Sequence, residues 1–406
     1  MADLLPVAEA RARVTGAFAR LAAENVALTD ATGRVLAGDL AARRTQPPAA
    51  VSAMDGYAVR AEDVTRVPAT LEVVGEAPAG GAFEGTVTTG KAVRIFTGGP
   101  VPAGADAIVI QEDTDMGFPR VTVRESARRG RHIRDAGIDF REGDVLLRAG
   151  TLLTARDIGL AAAMNHPWLE VVRKPRIAIL ATGDEVVRPG DPMGPHQIVS
   201  SNGPALGAFV ESRGGASADL GIARDDEASI RTLAAGARGA DLLVTTGGVS
   251  VGDHDLVQKV LGEAGLTVDF WKIAMKPGKP LMFGRLEGTP VMGLPGNPVS
   301  ALVCALLFLG PAIDRMLGLP GDGVPMMRAR LGRDLAGNNF REDYMRAELV
   351  YDADGTPVAT PFEVQDSSMI SALARAGCLV RRPPDAPPAK AGDWTEVIPL
   401  SGLRGA

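Results

Sequence analysis

Residues 240–255 read ADLLVTTGGVSVGDHD, and the way this stretch folds decides the rest of the chain. The apolar run Leu242–Val244 stops at Thr245-Thr246-Gly247-Gly248. Short apolar runs bounded by glycine read as strands buried on both faces of a parallel sheet. The polar loop then lies at the carboxyl end of a strand, where open α/β sheets bind ligands. Adjacent glycines let backbone N–H groups approach an anion closely, and Thr246 and Ser250 add hydroxyls. Asp253 and Asp255 set carboxylates beside these donors, a combination that suits a phosphate with its Mg²⁺.

Outward from this stretch, from Arg176 to about Asp322, strand and helix patterns alternate. Ile177–Ala181 is an apolar strand ending in Thr182-Gly-Asp-Glu185, and a helix over Gly203–Ser212 follows Ser200-Ser-Asn202, read as its N-cap. Asp225 stands between a strand and a helix over Glu227–Ala235; a further helix covers Asp255–Ala264. Phe270–Pro280 carries Lys272, Lys276 and Lys279. Val291–Leu294 runs into Pro295-Gly-Asn-Pro-Val-Ser300 and a helix over Ala301–Leu309. The alternation predicts a doubly wound, mostly parallel sheet. Thr182–Glu185, Asp225, Thr246–Asp255, Lys276–Lys279 and Pro295–Ser300 all follow strand ends, and five such loops with glycine or charge exceed what turn chemistry needs.

The flanks read differently. Val7–Leu21 has helical periodicity, and Gln46-Pro-Pro48 marks a domain entry. In Val51–Val59 (VSAMDGYAV), Asp55-Gly56 favours a tight turn before a strand. Between Glu62 and Gly137 the pattern is β, with strands at Thr70–Val74, Ala92–Phe96, Ala107–Gln111 and Arg120–Arg124. Thr97-Gly-Gly-Pro100 suits a plain turn and an anion loop equally. Gly85–Ala92 nearly matches P-loop spacing, but Ala92 replaces the Mg²⁺-binding hydroxyl and a strand follows, not a helix. Asp139 follows the basic run Arg128–Arg134 and is expected to be held by those arginines. Val145–Leu153 and a helix over Ala155–Ala163 return the chain to its first domain. After the linker Pro320–Pro325 the tail is β-rich, with Arg341, Arg346, Ser367 and Ser368 its conspicuous polar residues. Four domains result: 1–45 with 138–173, an inserted β domain over 46–137, the α/β domain over 174–322 and a C-terminal β domain over 323–406.

Composition narrows the function classes. With 406 residues the chain is too long for one core. A net charge of -6 and 4% aromatics argue against nucleic-acid and anionic-membrane binding. Cys304 and Cys378 form no CxxC and read as buried reduced thiols of a cytoplasmic protein. The N-terminus carries Asp3 and Glu9 and is not read as a signal peptide; the best apolar run, Ala301–Leu309, is too short to span a bilayer.

SAMDGYAV (Ser52–Val59), RIFTGGPVPAGADAIV (Arg94–Val109), TGDE (Thr182–Glu185), TTGGVSVGDHD (Thr245–Asp255), KPGKP (Lys276–Pro280) and GLPGNPVSA (Gly293–Ala301) stand in this order. As a set they resemble the molybdopterin molybdenumtransferases, the MoeA family, which includes the E domain of gephyrin. The resemblance covers the chain from end to end. It implies a homodimer of four-domain subunits, with a MogA-like α/β domain and each active site at the subunit interface, between the sheet and C-terminal domains of one chain and the N-terminal domains of the other. The activity implied is insertion of molybdate into adenylated molybdopterin, assisted by Mg²⁺, with molybdenum cofactor and AMP as products. Transient contact with the adenylyltransferase of the preceding step belongs to the same expectation. The other readings are that adenylyltransferase step itself, or a non-catalytic molybdate-binding or scaffold protein.

Carried over residue by residue, the family's functional acids fall on Asp55, Asp139, Glu185, Asp225 and Asp255, its threonine on Thr97, and its lysines on Lys272 and Lys276. Pro295 and Pro298 match PGNP, and by looser matching Arg346 and Ser368 match the C-terminal arginine and serine. Ile138 stands where a glutamate is common, and His254 where tyrosine is frequent. For anionic substrates, Lys276, Lys279 and Arg346 supply cationic donors and Ser300 and Ser368 hydroxyls. Thr246, Gly247, Gly248, Ser250, Gly296 and the helix start at Asn297 suit the phosphates. Glu185, Asp225 and Asp255 are assigned to Mg²⁺ and to water activation.

Overall fold

A computed structural model describes residues 4–248 and 256–400 of the chain. By internal contacts it divides into two units, one of residues 25–171 and one of the residues on either side. Ser250, Asp253, His254 and Asp255 lie outside the described residues.

The larger unit holds a six-stranded sheet. Its strands are β1 (Arg176–Thr182), β2 (Ala216–Ala223), β3 (Leu242–Thr246), β4 (Leu266–Trp271), β5 (Met282–Leu286) and β6 (Thr289–Leu294). Their order is β2-β1-β3-β6-β5-β4; the first four run parallel and only β5 is reversed. Every residue of β1 after Arg176 is buried, as a strand covered on both faces must be. Ala178, Leu180 and Leu243 face one layer with Ile230 and Ala234 of α2 (Glu227–Ala234) and Val260 and Leu261 of α3 (Leu256–Glu263). On the other face α1 (Asn202–Ser212) buries Leu206, Phe209 and Val210 and packs beside the helix after β6. The chain leaves β1 for β2 on one side and then crosses to β3 on the other. The strand order therefore reverses between β1 and β3, which opens a crevice at their carboxyl ends.

The helix after β6 runs Pro298–Met316, twice the expected Ala301–Leu309, because a π-type segment at Ala305–Leu309 joins two α-helical pieces. It is long and apolar enough to cross a membrane by composition, yet 83% of its most apolar window is buried inside the protein, as for a core helix. The helix Val7–Gly16 packs on its far end, burying Val7, Ala10 and Val14, and Leu21 N donates to Met316 O. The start of the chain thus belongs with the α/β fold rather than with residues 138–173.

In the same unit five strands close into a barrel: Met327–Leu331, Glu342–Tyr351, Pro357–Pro361, Cys378–Arg382 and Trp394–Pro399. Closure is visible in Glu342–Tyr351, which pairs with both Pro357–Pro361 and Cys378–Arg382. Met275–Lys276, from the loop between β4 and β5, adds a parallel strand beside Glu342–Asp343. Both cysteines are free and buried, and burial pushes the Cys378 thiol up to about 12 and the Cys304 thiol well above its usual range.

The unit of residues 25–171 is built on a five-stranded sheet in the order Ala107–Ile110, Gly56–Val59, Lys91–Ile95, Ala69–Ala77, Arg120–Val123. Alternate residues fill two cores: Tyr57, Val59 and Val109 lie in one, Ala58, Val93 and Ile108 in the other. Gly56 makes no left-handed turn. It opens an inner strand, where a Cβ would lie 2.0 Å from Val109 O. The helix Ala155–Ala163 starts at a capping box in which Thr154 N donates to Asp157 Oδ2 at 2.7 Å.

Candidate active site at the strand ends

The crevice between β1 and β3 gathers four strand-end loops. After β1, Gly183 adopts φ +136°, and a Cβ there would lie within 2.9 Å of the Glu185 carboxylate. After β2, Asp225 N donates to Asp184 Oδ1 at 3.1 Å. Asp226 Oδ1 accepts from Ser229 N at 2.7 Å and so caps α2, which leaves Asp225 as the free acid of the pair. Asp184, Arg188, Gln197, Arg224 and Asp225 line an open cavity of about 730 Å³. After β3, Gly247 takes φ +88°, and a Cβ would meet Thr182 O at 2.5 Å, so glycine alone fits. After β6, Gly296 comes so near that its Cβ would lie 3.6 Å from Gly247 Cα.

Thr246 is buried, and its hydroxyl is tied into the protein. Its Oγ1 accepts from Asn202 Nδ2 at 2.8 Å and donates to Pro295 O at 3.3 Å. The sequence reading of Asn202 as part of an N-cap misses this: Ser201 occupies the cap without a side-chain bond, and the Asn202 amide reaches across to the β3 and β6 loops. Thr182 Oγ1, Thr245 Oγ1 and Asn202 Oδ1 are buried without a partner. Among the described residues these atoms find no partner, and Thr182 Oγ1 and Asn202 Oδ1 lie at the crevice beside Gly247 and Thr246.

The C-terminal barrel joins this crevice through Ser367. Asn297 Nδ2 donates to Ser367 Oγ at 2.9 Å, and Val299 N donates to Ser367 O at 3.1 Å. The neighbouring Ser368 gives its hydroxyl to Asp366 Oδ1 at 2.6 Å and its N–H to the same oxygen at 2.8 Å, which holds the Asp366 carboxyl below its usual range. Arg346 is 1% exposed, donates to Asp366 O at 3.0 Å and leaves Nε unpaired; burial lowers its pKa against the pull of Asp366. Ser300 is buried in the first turn after Asn297-Pro298. Lys276 is exposed and paired in register with Asp343. Burial raises the Asp343 carboxyl, while Lys276, Arg341 and Arg382 pull it back. Lys272 and Lys279 line a second cavity, of about 680 Å³, with Leu4, Val7, Phe340 and Glu342.

In the other unit, Asp55 Oδ1 accepts from Thr97 N at 2.7 Å and from Thr97 Oγ1 at 2.9 Å. These two bonds, then the charge of Arg94, hold the Asp55 carboxyl below its usual range. Arg94 donates to Gln111 Oε1 at 2.6 Å and lies over the rings of Tyr57 and Phe96. Asp139 is exposed, makes no ion pair among the described residues, and two of the four arginines expected beside it face other acids. Arg129 faces Asp106 at 3.7 Å, and Arg131 faces Glu125 at 3.2 Å and Asp113 at 3.8 Å.

Glu185 and Asp225 are exposed acids without an ion-pair partner among the described residues, and Asp255 lies outside them. Among the described residues no three His, Cys, Asp or Glu side chains form a ready metal cage. Among the described residues the donors at this site are carboxylates and hydroxyls. That set fits Mg²⁺, which keeps several waters and takes its other oxygens from a phosphate.

Residues 5–165 match the MoeA N-terminal region (domain I and II), 178–315 a probable molybdopterin binding domain, and 328–400 the MoeA C-terminal region (domain IV). The chain is 39% identical over 386 residues to the Molybdopterin molybdenumtransferase 2 of Mycobacterium tuberculosis, covering 93% of this chain and 95% of that one. It is 34% identical over 385 residues to the Molybdopterin molybdenumtransferase of Haemophilus influenzae, covering 94% and 95%. Among solved structures, a molybdopterin biosynthesis MoeA protein of Pyrococcus horikoshii superposes with a TM-score of 0.85 at 30% identity, over 99% of this chain and 100% of the other.

Proposed function

Because this chain belongs to the MoeA family of molybdopterin molybdenumtransferases, we propose that it inserts molybdate into adenylated molybdopterin and hydrolyses the adenylate, giving molybdenum cofactor and AMP. The observation that carries this reading is the convergence of four strand-end loops and the Ser367 loop on one crevice at the topological switch point. The backbone N–H groups of Gly247, Gly248, Gly296 and Asn297 suit a pyrophosphate. Lys276 and Lys279, with Ser300, supply donors for a tetrahedral oxyanion, while Arg346 and Ser368, expected as further donors, are engaged with Asp366 in this structure. The lysines and Ser300 hold the oxyanion while the two dithiolene thiols bond to the metal and one oxo ligand takes their protons and leaves as water, with no change of oxidation state and no covalent bond to the enzyme. Glu185, Asp225 and Asp255 would hold Mg²⁺, which supplies charge neutralisation at the pyrophosphate when bound. The same carboxylates orient the water that cuts off AMP.

In this reading the protein is a homodimer. Asp55, Thr97 and Asp139 of one chain complete the site built by the sheet and barrel of the other, and Lys272 belongs to the same site. Asp55 stays ionised through the neutral range and serves as a fixed acceptor. The test is anaerobic incubation with adenylated molybdopterin, Mg²⁺ and molybdate, following AMP. AMP release that requires molybdate and Mg²⁺ is expected. Consumption of ATP with unadenylated molybdopterin, and no AMP from the adenylated form, would place the chain at the preceding step instead.

A further inference from the structure

Asn202 joins three elements of the crevice, and nothing in the proposed chemistry uses it. It is the first residue of α1, the helix that follows β1. Its amide nitrogen spends both hydrogens across the crevice, on Thr246 Oγ1 at 2.8 Å and on Gly296 O at 2.7 Å. Thr246 Oγ1 continues the link to Pro295 O at 3.3 Å. One side chain thus ties the loop after β3 to the loop after β6. These are the two loops whose glycines stand nearly in contact, with the ideal Cβ of Gly296 only 3.6 Å from Gly247 Cα.

The rest of the amide is poorly served. Asn202 Oδ1 is buried without a partner among the described residues, as is Thr182 Oγ1 in the strand beside it. An unpaired buried acceptor works against stability. Stability alone would favour a side chain with every atom paired or apolar. An aspartate of the same shape could not donate to Gly296 O, and a serine would be too short to serve both acceptors. The requirement met here is for two donors at a fixed spacing.

We propose that Asn202 is a positioning residue of the crevice: it sets the separation of the Thr246–Gly248 and Pro295–Asn297 loops so that their backbone N–H groups converge on one anion. This rests on the reading that the crevice takes the pyrophosphate of an adenylated pterin. Asn202 acts through Thr246 and Gly296, without touching the substrate.

The experiment uses Asn202→Asp, Asn202→Ser, Thr246→Val and the double variant Asn202→Ser/Thr246→Val in the full chain. Asn202→Asp should raise KM for adenylated molybdopterin about tenfold or more, with kcat within about threefold of wild type. Thr246→Val should move KM the same way. The double variant should be no worse than its worse parent by more than about twofold, because both changes break one link. By hydrogen–deuterium exchange, the amide of Val299, which donates to Ser367 O just after the Pro295–Asn297 loop, should open faster in Asn202→Asp while those of β2 stay unchanged. Should Asn202→Asp not fold, Asn202→Ser carries the same measurements. Wild-type KM together with unchanged exchange at Val299 would overturn the proposal, even if the melting temperature fell. If the wild-type chain releases no AMP, the functional reading fails on its own, and the exchange measurement still decides the role of Asn202.

Discussion

Asp55 is held chiefly by one neighbour. Thr97 donates to it twice, through its backbone N–H and its hydroxyl, and Arg94 adds a favourable charge. Nothing in the fold of its unit hangs on the carboxylate beyond these local bonds. Asp55→Ala should therefore keep the melting temperature within a few degrees and lose molybdenum insertion; wild-type AMP release from that variant would contradict the assignment. The next residue behaves in the opposite way. Gly56 sits between Ile95 and Ile110 on neighbouring strands, with Val109 O only 2.0 Å from where a Cβ would be. Gly56→Ala must push two backbones apart, and we expect a loss of about 3 kcal/mol or more, read from the urea midpoint. A midpoint equal to wild type would mean the strands give way at little cost. Sequence pattern favoured a turn at Asp55-Gly56 because that dipeptide is common in turns. The real demand on the glycine, strand-to-strand clearance, is invisible without the partners.

At the scale of elements, parallel strands were the most legible feature. Leu242–Thr246 and Arg176–Thr182 are buried runs bounded by glycine, and the structure extends each expected strand by a residue or two. Leu266–Trp271 was not recognised. It lies at the sheet edge with Thr267, Val268 and Asp269 exposed, so it carries neither a continuous apolar run nor clean alternation. The starts of β1 and β3 are joined by a feature no local pattern announces. Arg173 makes two bonds of 2.7 Å to Asp241, whose Oδ2 also accepts from Arg176 N at 2.8 Å. Burial pushes the Asp241 carboxyl up, but these bonds and charges outweigh it and leave the group below its ordinary 3.8. A depressed carboxyl stabilises the fold above its unfolded pKa and loses that contribution as pH falls through the folded one. Asp241→Asn should thus cost about 1–3 kcal/mol at pH 7. The gap from wild type should close as the pH drops below 3.8. Urea midpoints that differ equally at neutral and strongly acid pH would refute the linkage.

For the whole molecule, the proposed site draws on two chains, and that has a quantitative consequence. Asp55 belongs to the unit of residues 25–171 and Lys276 to the other. If one active site takes Asp55 from one subunit and Lys276 from its partner, two inactive variants can restore each other. Asp55→Ala and Lys276→Ala chains, co-refolded in equal amounts, form mixed dimers with one intact and one doubly damaged site. Random pairing then makes about a quarter of all sites intact. We expect about a quarter of wild-type AMP release from the mixture and none from either variant alone. A mixture as inactive as its components would put both residues in one chain's site, or in none.

The sequence by itself determined the layered α/β centre, the β character of both flanks and the five glycine- or charge-bearing loops at strand ends, because burial periodicity and turn chemistry act over a few neighbouring residues. It also carried the family motifs in order, and with them most of the candidate site. Tertiary structure alone decided which loops meet. Strand order placed Thr182, Thr246 and Gly296 around one crevice and gave Asn202 its two partners, and the fold set Arg129 and Arg131 against acids other than Asp139. Those contacts join residues dozens of positions apart. Their energies depend on distance and direction in space, and a pattern read along the chain records neither.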